Sequence, residues 1–218
     1  MIVVAHRMPA SAGAAAALAR AGASMFELDV RLPADGGPPV VTHFGPLWPG
    51  SSLFNDGWRV RQGALSSRLG PPLGEAIALL PRACEVLLDL KGPIADPDTA
   101  ARGLAAEVAE PERIHVCGNA GPIAPGVAAL GMRVWRTVGS RAELAAAMGA
   151  AGPQPWALTV HHRLLSAAVV ATLRQRSPRV VAWTVNSVPR ARVLQSLGVD
   201  GITTDRPSVM TALRAASG

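Results

Sequence analysis

Tyrosine is absent from these 218 residues, phenylalanine numbers 3, and aromatic residues as a class reach only 4%. With no aromatics interleaved among basic residues, and no run of lysine or arginine, the formal charge of +6 does not form a nucleic-acid-binding pattern. Scattered positive charge suits a small anionic substrate or a phospholipid surface instead. Cysteine occurs twice, as Cys84 and Cys117, in apolar surroundings. That makes neither a disulfide framework nor a metal-binding spacing, and both read as buried free thiols. No stretch offers about 18 uninterrupted apolar residues for a membrane span. The opening Met1-Ile2-Val3-Val4-Ala5-His6 lacks a basic segment, a long apolar run and a cleavage site, so the expectation is a cytoplasmic chain with no integral membrane segment. Lysine occurs once, as Lys91; the other side chains of fixed positive charge are arginines. The sequence assigns no oligomeric state.

What is present is a hydrophobic fraction of 49% against 17% charged residues, enough for one sizeable core over 1–218. Much of the apolar content is alanine, which favours helices, and Gly 22 with Pro 19 supplies the breaks between them. Short apolar runs at 2–5, 25–30, 39–43, 85–90, 113–117, 132–137, 156–160, 180–185 and 199–203 read as strands. They alternate with helical stretches near 10–22, 73–81, 97–109, 124–130, 140–149, 164–175, 188–197 and 207–215. This order predicts β/α units around a mainly parallel sheet, with a TIM-type (β/α)8 barrel as the fold, irregular around the second and third strands. Nine runs are one more than an eight-stranded barrel needs, and the gap from Val30 to Pro39 is too short for a helical crossover. The run at 39–43 therefore joins without a helix or pairs as a hairpin, or a later run stands outside the barrel. The stretch 44–70, with Gly45-Pro46, Pro49-Gly50 and Asp56-Gly57, reads as a long loop.

Three short segments carry chemistry. In Phe26-Glu27-Leu28-Asp29-Val30 the alternation of a strand puts Glu27 and Asp29 on one face and the apolar residues on the other. Adjacent carboxylates repel and lose hydration unless a cation joins them or they stand in solvent. An oxygen-rich pair suits Mg²⁺ or Ca²⁺, while an exposed edge strand would carry the same pair with no ion. In Leu88-Asp89-Leu90-Lys91, Asp89 and Lys91 again share a face. A simple ion pair explains them alone, but the C-terminal ends of barrel strands are where catalytic groups gather. A third carboxylate there would complete a hard-cation site and Lys91 would face a phosphate oxygen. His6 and His43 also end short strands, and imidazoles titrate in the range that proton transfer at a phosphodiester requires. His161 and His162, ahead of a helix, either reach the pocket rim or, the reading preferred, stand in a solvated loop, and Gly118, Gly121 and Gly126 make no dinucleotide fingerprint.

The ordered series resembles the glycerophosphodiester phosphodiesterase family over almost the whole chain. It comprises His6-Arg7, Gly22-Ala23, Glu27-Leu28-Asp29-Val30, Asp35-Gly36, Val41-Thr42-His43, Pro72-Leu73-Gly74-Glu75, Asp89-Leu90-Lys91, Trp183-Thr184-Val185-Asn186 and Gly198 to Pro207. The resemblance implies hydrolysis of a glycerol-phosphate diester to glycerol 3-phosphate and an alcohol. It implies one divalent cation, Mg²⁺ or Ca²⁺, on Glu27, Asp29 and Asp89, with His6 and His43 as the acid/base pair. Arg7 and Lys91 would bind phosphate, Trp183 would form an apolar wall or pack in the core, and Asn186 would reach the pocket. Met8 stands where the family has glycine, Phe44 where it has aspartate, and Asp89 where it has glutamate. Two other readings use the same residues: a lyase-type relative that forms a cyclic phosphate, and a silent barrel kept for binding.

Overall fold

The structure, a computed structural model, describes residues 1–7, 9–33, 37–42, 71–94, 96–149 and 154–216. Among the described residues nine strands run in chain order as β1 (Ile2–Ala5), β2 (Met25–Arg31), β3 (Val40–Val41), β4 (Glu85–Lys91), β5 (Ile114–Gly118), β6 (Arg133–Val138), β7 (Ala157–His161), β8 (Val180–Trp183) and β9 (Gly201–Thr204). Eight of them are parallel and close into a barrel, because β1 pairs with both β9 and β2. The helices are α1 (Ala12–Ala21), α2 (Leu73–Ala78), α3 (Pro97–Ala106), α4 (Ala124–Ala129), α5 (Arg141–Gly149), α6 (Ala167–Arg174), α7 (Val188–Ser196) and α8 (Pro207–Ala215). Every strand and helix expected from the sequence is present, displaced by a few residues at the ends.

The surplus run is resolved by β3. It pairs antiparallel with β2, Val30 opposite Val41 and Arg31 opposite Val40, and stays outside the barrel. The predicted loop at 44–70 lies outside the described residues. Helix starts follow local chemistry. At α5 the amide of Glu143 donates to Ser140 Oγ at 3.1 Å, and the Glu143 carboxylate accepts from the Ser140 amide at 2.8 Å. This reciprocal pair satisfies donors that a helix start leaves unmatched.

Strand alternation divides the core into two layers. Val3, Phe26, Leu28, Val30, Leu88 and Leu90 face outward into the larger cluster that the helices cover. Val4, Met25, Leu87, Cys117, Trp135, Ala157 and Val181 fill the lumen as a separate apolar plug. Glu27 and Asp29 share the lumen face with Met25, so the carboxylates stand directly above that dry layer.

Below the plug, at the N-terminal ends of the strands, His115 is fully buried. The indole N–H of Trp135 donates to His115 Nδ1 at 2.8 Å, and Glu85 Oε1 lies 3.3 Å from Nε2. An indole nitrogen only donates, so Nδ1 must be unprotonated. Burial, reinforced by the Arg133 and Arg179 charges, pushes the His115 pKa down to about 4 in spite of Glu85. A depressed histidine pKa means the unfolded chain binds the extra proton first. The stabilisation is complete above the ordinary histidine range and is lost as pH falls through it towards 4. Between about pH 7 and pH 4 this group should cost the fold roughly 3 kcal/mol. Urea midpoints across that range test it. His115→Asn keeps an acceptor for Trp135 but cannot titrate, so its midpoint should fall less on acidification than that of the wild type.

Candidate active site

Strands β2 and β4 are neighbours in a register that sets Asp29 opposite Asp89 and Arg31 opposite Lys91. Glu27, Asp29 and Asp89 therefore converge, each offering an oxygen within 4.8 Å of the others. Glu27 is 3% exposed and Asp29 8%. Burial, followed by the Asp29 charge, pushes the Glu27 carboxyl up to about 8. Asp89 is also raised, by burial first, with Lys91 opposing.

Lys91 holds the cluster together in this state. Its Nζ donates to Asp89 Oδ2 at 2.5 Å and lies 2.9 Å from Asp29 Oδ1. Burial works against its charge, but Asp29 and Asp89 outweigh it and raise the pKa. An ammonium carries three N–H donors. Two are used on carboxylates, and with the side chain 40% exposed the third is within reach of a ligand.

His6 follows β1 directly. Its Nδ1 is 2.7 Å from Asp205 Oδ1, and its Nε2 is 3.9 Å from Glu27 Oε2. Burial disfavours the imidazolium, but the Asp205 hydrogen bond and the Glu27 charge outweigh it, so the His6 pKa is raised. Asp205 is itself fixed: Asn186 Nδ2 donates to its Oδ2 at 2.6 Å, while Asn186 Oδ1 accepts from Thr204 Oγ1 at 3.0 Å and from the Asp205 amide at 2.9 Å. Burial opposes the Asp205 charge, yet the bonds from His6 and Asn186 draw its pKa down to about 2. Asn186 thus braces Asp205 with both ends of its amide.

Arg7 has φ 76°, in the left-handed region that side chains other than glycine rarely adopt. This turn directs its amide to Glu27 Oε2 at 2.8 Å. Its side-chain Nε is buried with no hydrogen-bond partner, 3.9 Å from Asp205 Oδ1. Among the described residues the only other such atom is Trp183 Nε1. A desolvated donor left unmatched costs about 1–3 kcal/mol. Both orphans belong to side chains expected to touch substrate. The Trp183 ring meets the edge of His161 at 5.1 Å, and His161 stacks on His162 at 5.0 Å.

The structure thus brings together His6, Glu27, Asp29, Asp89, Lys91 and Arg7. His43 lies outside the described residues, as do Met8 and Phe44. Two features were missed from the sequence. Asp205, the first residue after β9, is brought to His6 and Asn186 at the strand ends. His161 is the last residue of β7, half-buried, and packs on Trp183 instead of standing in a solvated loop.

Residues 100–209, just over half of the chain, match the model of the Glycerophosphoryl diester phosphodiesterase family. The match includes Trp183, Asn186 and Asp205 and begins after the acidic cluster. No curated protein matches the chain. Among solved structures, a phosphodiesterase from Oleispira antarctica in complex with the product sn-glycerol-3-phosphate is 18% identical, with a TM-score of 0.70 over 98% of this chain and 97% of its own. A glycerophosphodiester phosphodiesterase from Parabacteroides distasonis is 20% identical, with a TM-score of 0.68 over 99% and 97%. One from Agrobacterium tumefaciens is 19% identical, with a TM-score of 0.66 over 99% and 100%. At these identities the likeness is one of fold.

Proposed function

Since the chain belongs to the Glycerophosphoryl diester phosphodiesterase family, whose members are phosphodiester hydrolases, we propose that it cleaves a small glycerophosphodiester to glycerol 3-phosphate and an alcohol, with one divalent cation bound by Glu27, Asp29 and Asp89. The observation that carries this reading is the convergence of three carboxylates, two of them buried, next to the Arg7 turn whose amide donates to Glu27.

The donor set fits a hard cation. All three groups offer oxygen, which is the preference of Mg²⁺ and Ca²⁺, and the burial and Asp29 charge that raise the Glu27 carboxyl are costs a bound cation would offset. Such a cation, when bound, stabilises negative charge on the phosphoryl oxygens. The protein's own residues do the rest. Lys91, through its third N–H, and the partly exposed Arg7 side chain bind and orient the phosphate. His6 holds a proton at Nε2, on the ring edge opposite Asp205, and hands it to the leaving alkoxide. His43 is the complementary base, taking a proton from the attacking water as the new P–O bond forms. Trp183 lines the alcohol side, and Asn186 acts through Asp205.

The test is a panel of glycerophosphodiesters with purified protein and Mg²⁺ or Ca²⁺, followed by phosphorus NMR. Glycerol 3-phosphate as the first product is the expected result. A cyclic phosphate appearing first assigns the chain to the lyase-type reading, and no turnover on any diester leaves a barrel used for binding.

A further inference from the structure

We propose that Gly118, at the end of β5, is a positioning residue for Asp89, and that its missing side chain is the space in which the third carboxylate of the cluster lies. This deepens the reading of the cluster as a cation site and rests on it. A Cβ added to Gly118 would stand 2.1 Å from Asp89 Oδ1, 2.6 Å from the Leu90 carbonyl oxygen and 3.1 Å from the Leu90 amide nitrogen. Real Cβ atoms essentially never stand closer than 3.0 Å to such an atom. Any side chain here must expel the carboxylate or part the strands.

Neither movement is open to the structure as it stands. On its far side Asp89 is held by Lys91 Nζ at 2.5 Å, with Asp29 opposite it in the register. The end of β5 is tied to both neighbours. The Gly118 amide donates to Thr137 Oγ1 on β6 at 3.1 Å, and the next amide, of Asn119, donates to the Leu90 carbonyl on β4 at 3.0 Å. Gly118 reaches both through φ 69°, a left-handed turn that frees the chain from the strand.

The arrangement also accounts for an aspartate at 89. An aspartate carboxylate sits one methylene nearer its own strand than a glutamate's, level with the neighbouring backbone. A short acid on β4 and a glycine on β5 are a matched pair: each occupies what the other vacates.

Two effects of Gly118→Ala must be separated, backbone strain and displacement of Asp89. Gly198 supplies the control, since it has φ 86° and a Cβ there would meet nothing within 4 Å. The experiment is calorimetric titration of the intact protein with Mn²⁺, alongside a thermal melt of each variant. Both glycine variants should melt lower. Gly118→Ala should bind Mn²⁺ about 10-fold or more weakly, the loss expected when a ligand's supporting contact is removed, while Gly198→Ala binds as the wild type does. In an Asp89→Asn background, Gly118→Ala should weaken binding by much less than it does alone, because the two changes act on one ligand. Gly118→Asn carries the same Cβ on a residue that tolerates the left-handed turn, and serves if the alanine variant does not fold. Wild-type affinity in a folded Gly118 variant overturns the inference alone, as does an equal loss in Gly198→Ala. A wild-type protein that binds no Mn²⁺ overturns the cation reading and this inference with it.

Discussion

Exchange of His6 for Gln is expected to slow turnover of the best glycerophosphodiester by about 10²-fold or more at saturating substrate, with cation affinity kept within a few-fold. The size of the effect follows from how this imidazole is held. Asp205 accepts from Nδ1 at 2.7 Å, which fixes the ring and leaves Nε2 as the edge that can face a ligand. The same bond favours the charged ring, so His6 is poised to donate. Its contribution should therefore fade as pH rises through its raised pKa, giving the alkaline limb of the rate profile. Asp205→Asn separates this role from a structural one. It keeps the shape of the contact and removes the charge, so the alkaline limb should move to lower pH while the fold and the cation site remain. The limb belongs to the coupled site, so its shift between the two proteins is the quantity to read. An unchanged profile in Asp205→Asn, or wild-type turnover in His6→Gln, removes His6 from the proton transfer.

Lys91→Met should cost about 10²–10³-fold in kcat, since a charge placed beside phosphoryl oxygens acts mainly as negative charge develops on them. This residue makes an unusual pair of opposite predictions. In the structure Lys91 is the internal counter-charge of Asp29 and Asp89. Without it Asp29 and Asp89 lose the positive charge they share, so the cation-free protein should melt lower and a saturating dication should restore much of the loss. Cation affinity should hold or rise, because no ammonium competes for the same oxygens. Asp29→Asn should behave the other way, losing turnover and cation affinity together. If Lys91→Met retains wild-type kcat, the lysine is only an ion-pair partner. If it loses cation affinity as Asp29→Asn does, the ammonium supports the cation site instead of competing with it.

How much of this was legible in the sequence depends on the distance over which residues act. Alternation within one strand is local, so Glu27 with Asp29, and Asp89 with Lys91, could be placed on common faces from their spacing alone. The β/α order likewise gave a barrel, because the apolar runs are short and all but the one at 25–30 are followed by a helical stretch. Which strands lie side by side is not local. The surplus run at 39–43 needed its pairing with Val30 and Arg31 before it could be set outside the barrel. Asp205 directly follows β9, but nothing nearby shows that β9 closes against β1 and brings it to His6. His161 looked like a solvated loop because it stands just ahead of a helix; the ring it packs on, Trp183, lies on the adjacent strand. Gly118 read as one of several scattered glycines, since its significance lies in an oxygen contributed by β4.

The seam between the first and last strands also sets when this molecule can become active. His6 and Asp205 are separated by 199 positions, and β1 pairs along its whole length with β9. Every other strand of the ring is synthesised before β9, so the contact between His6 and Asp205 cannot form until β9 has been made. A chain still growing, or a folding intermediate with β9 undocked, already contains the carboxylates of β2 and β4 but not an oriented imidazole. If His6 acts as proposed, the capacity to hydrolyse therefore arrives only with closure of the ring of strands.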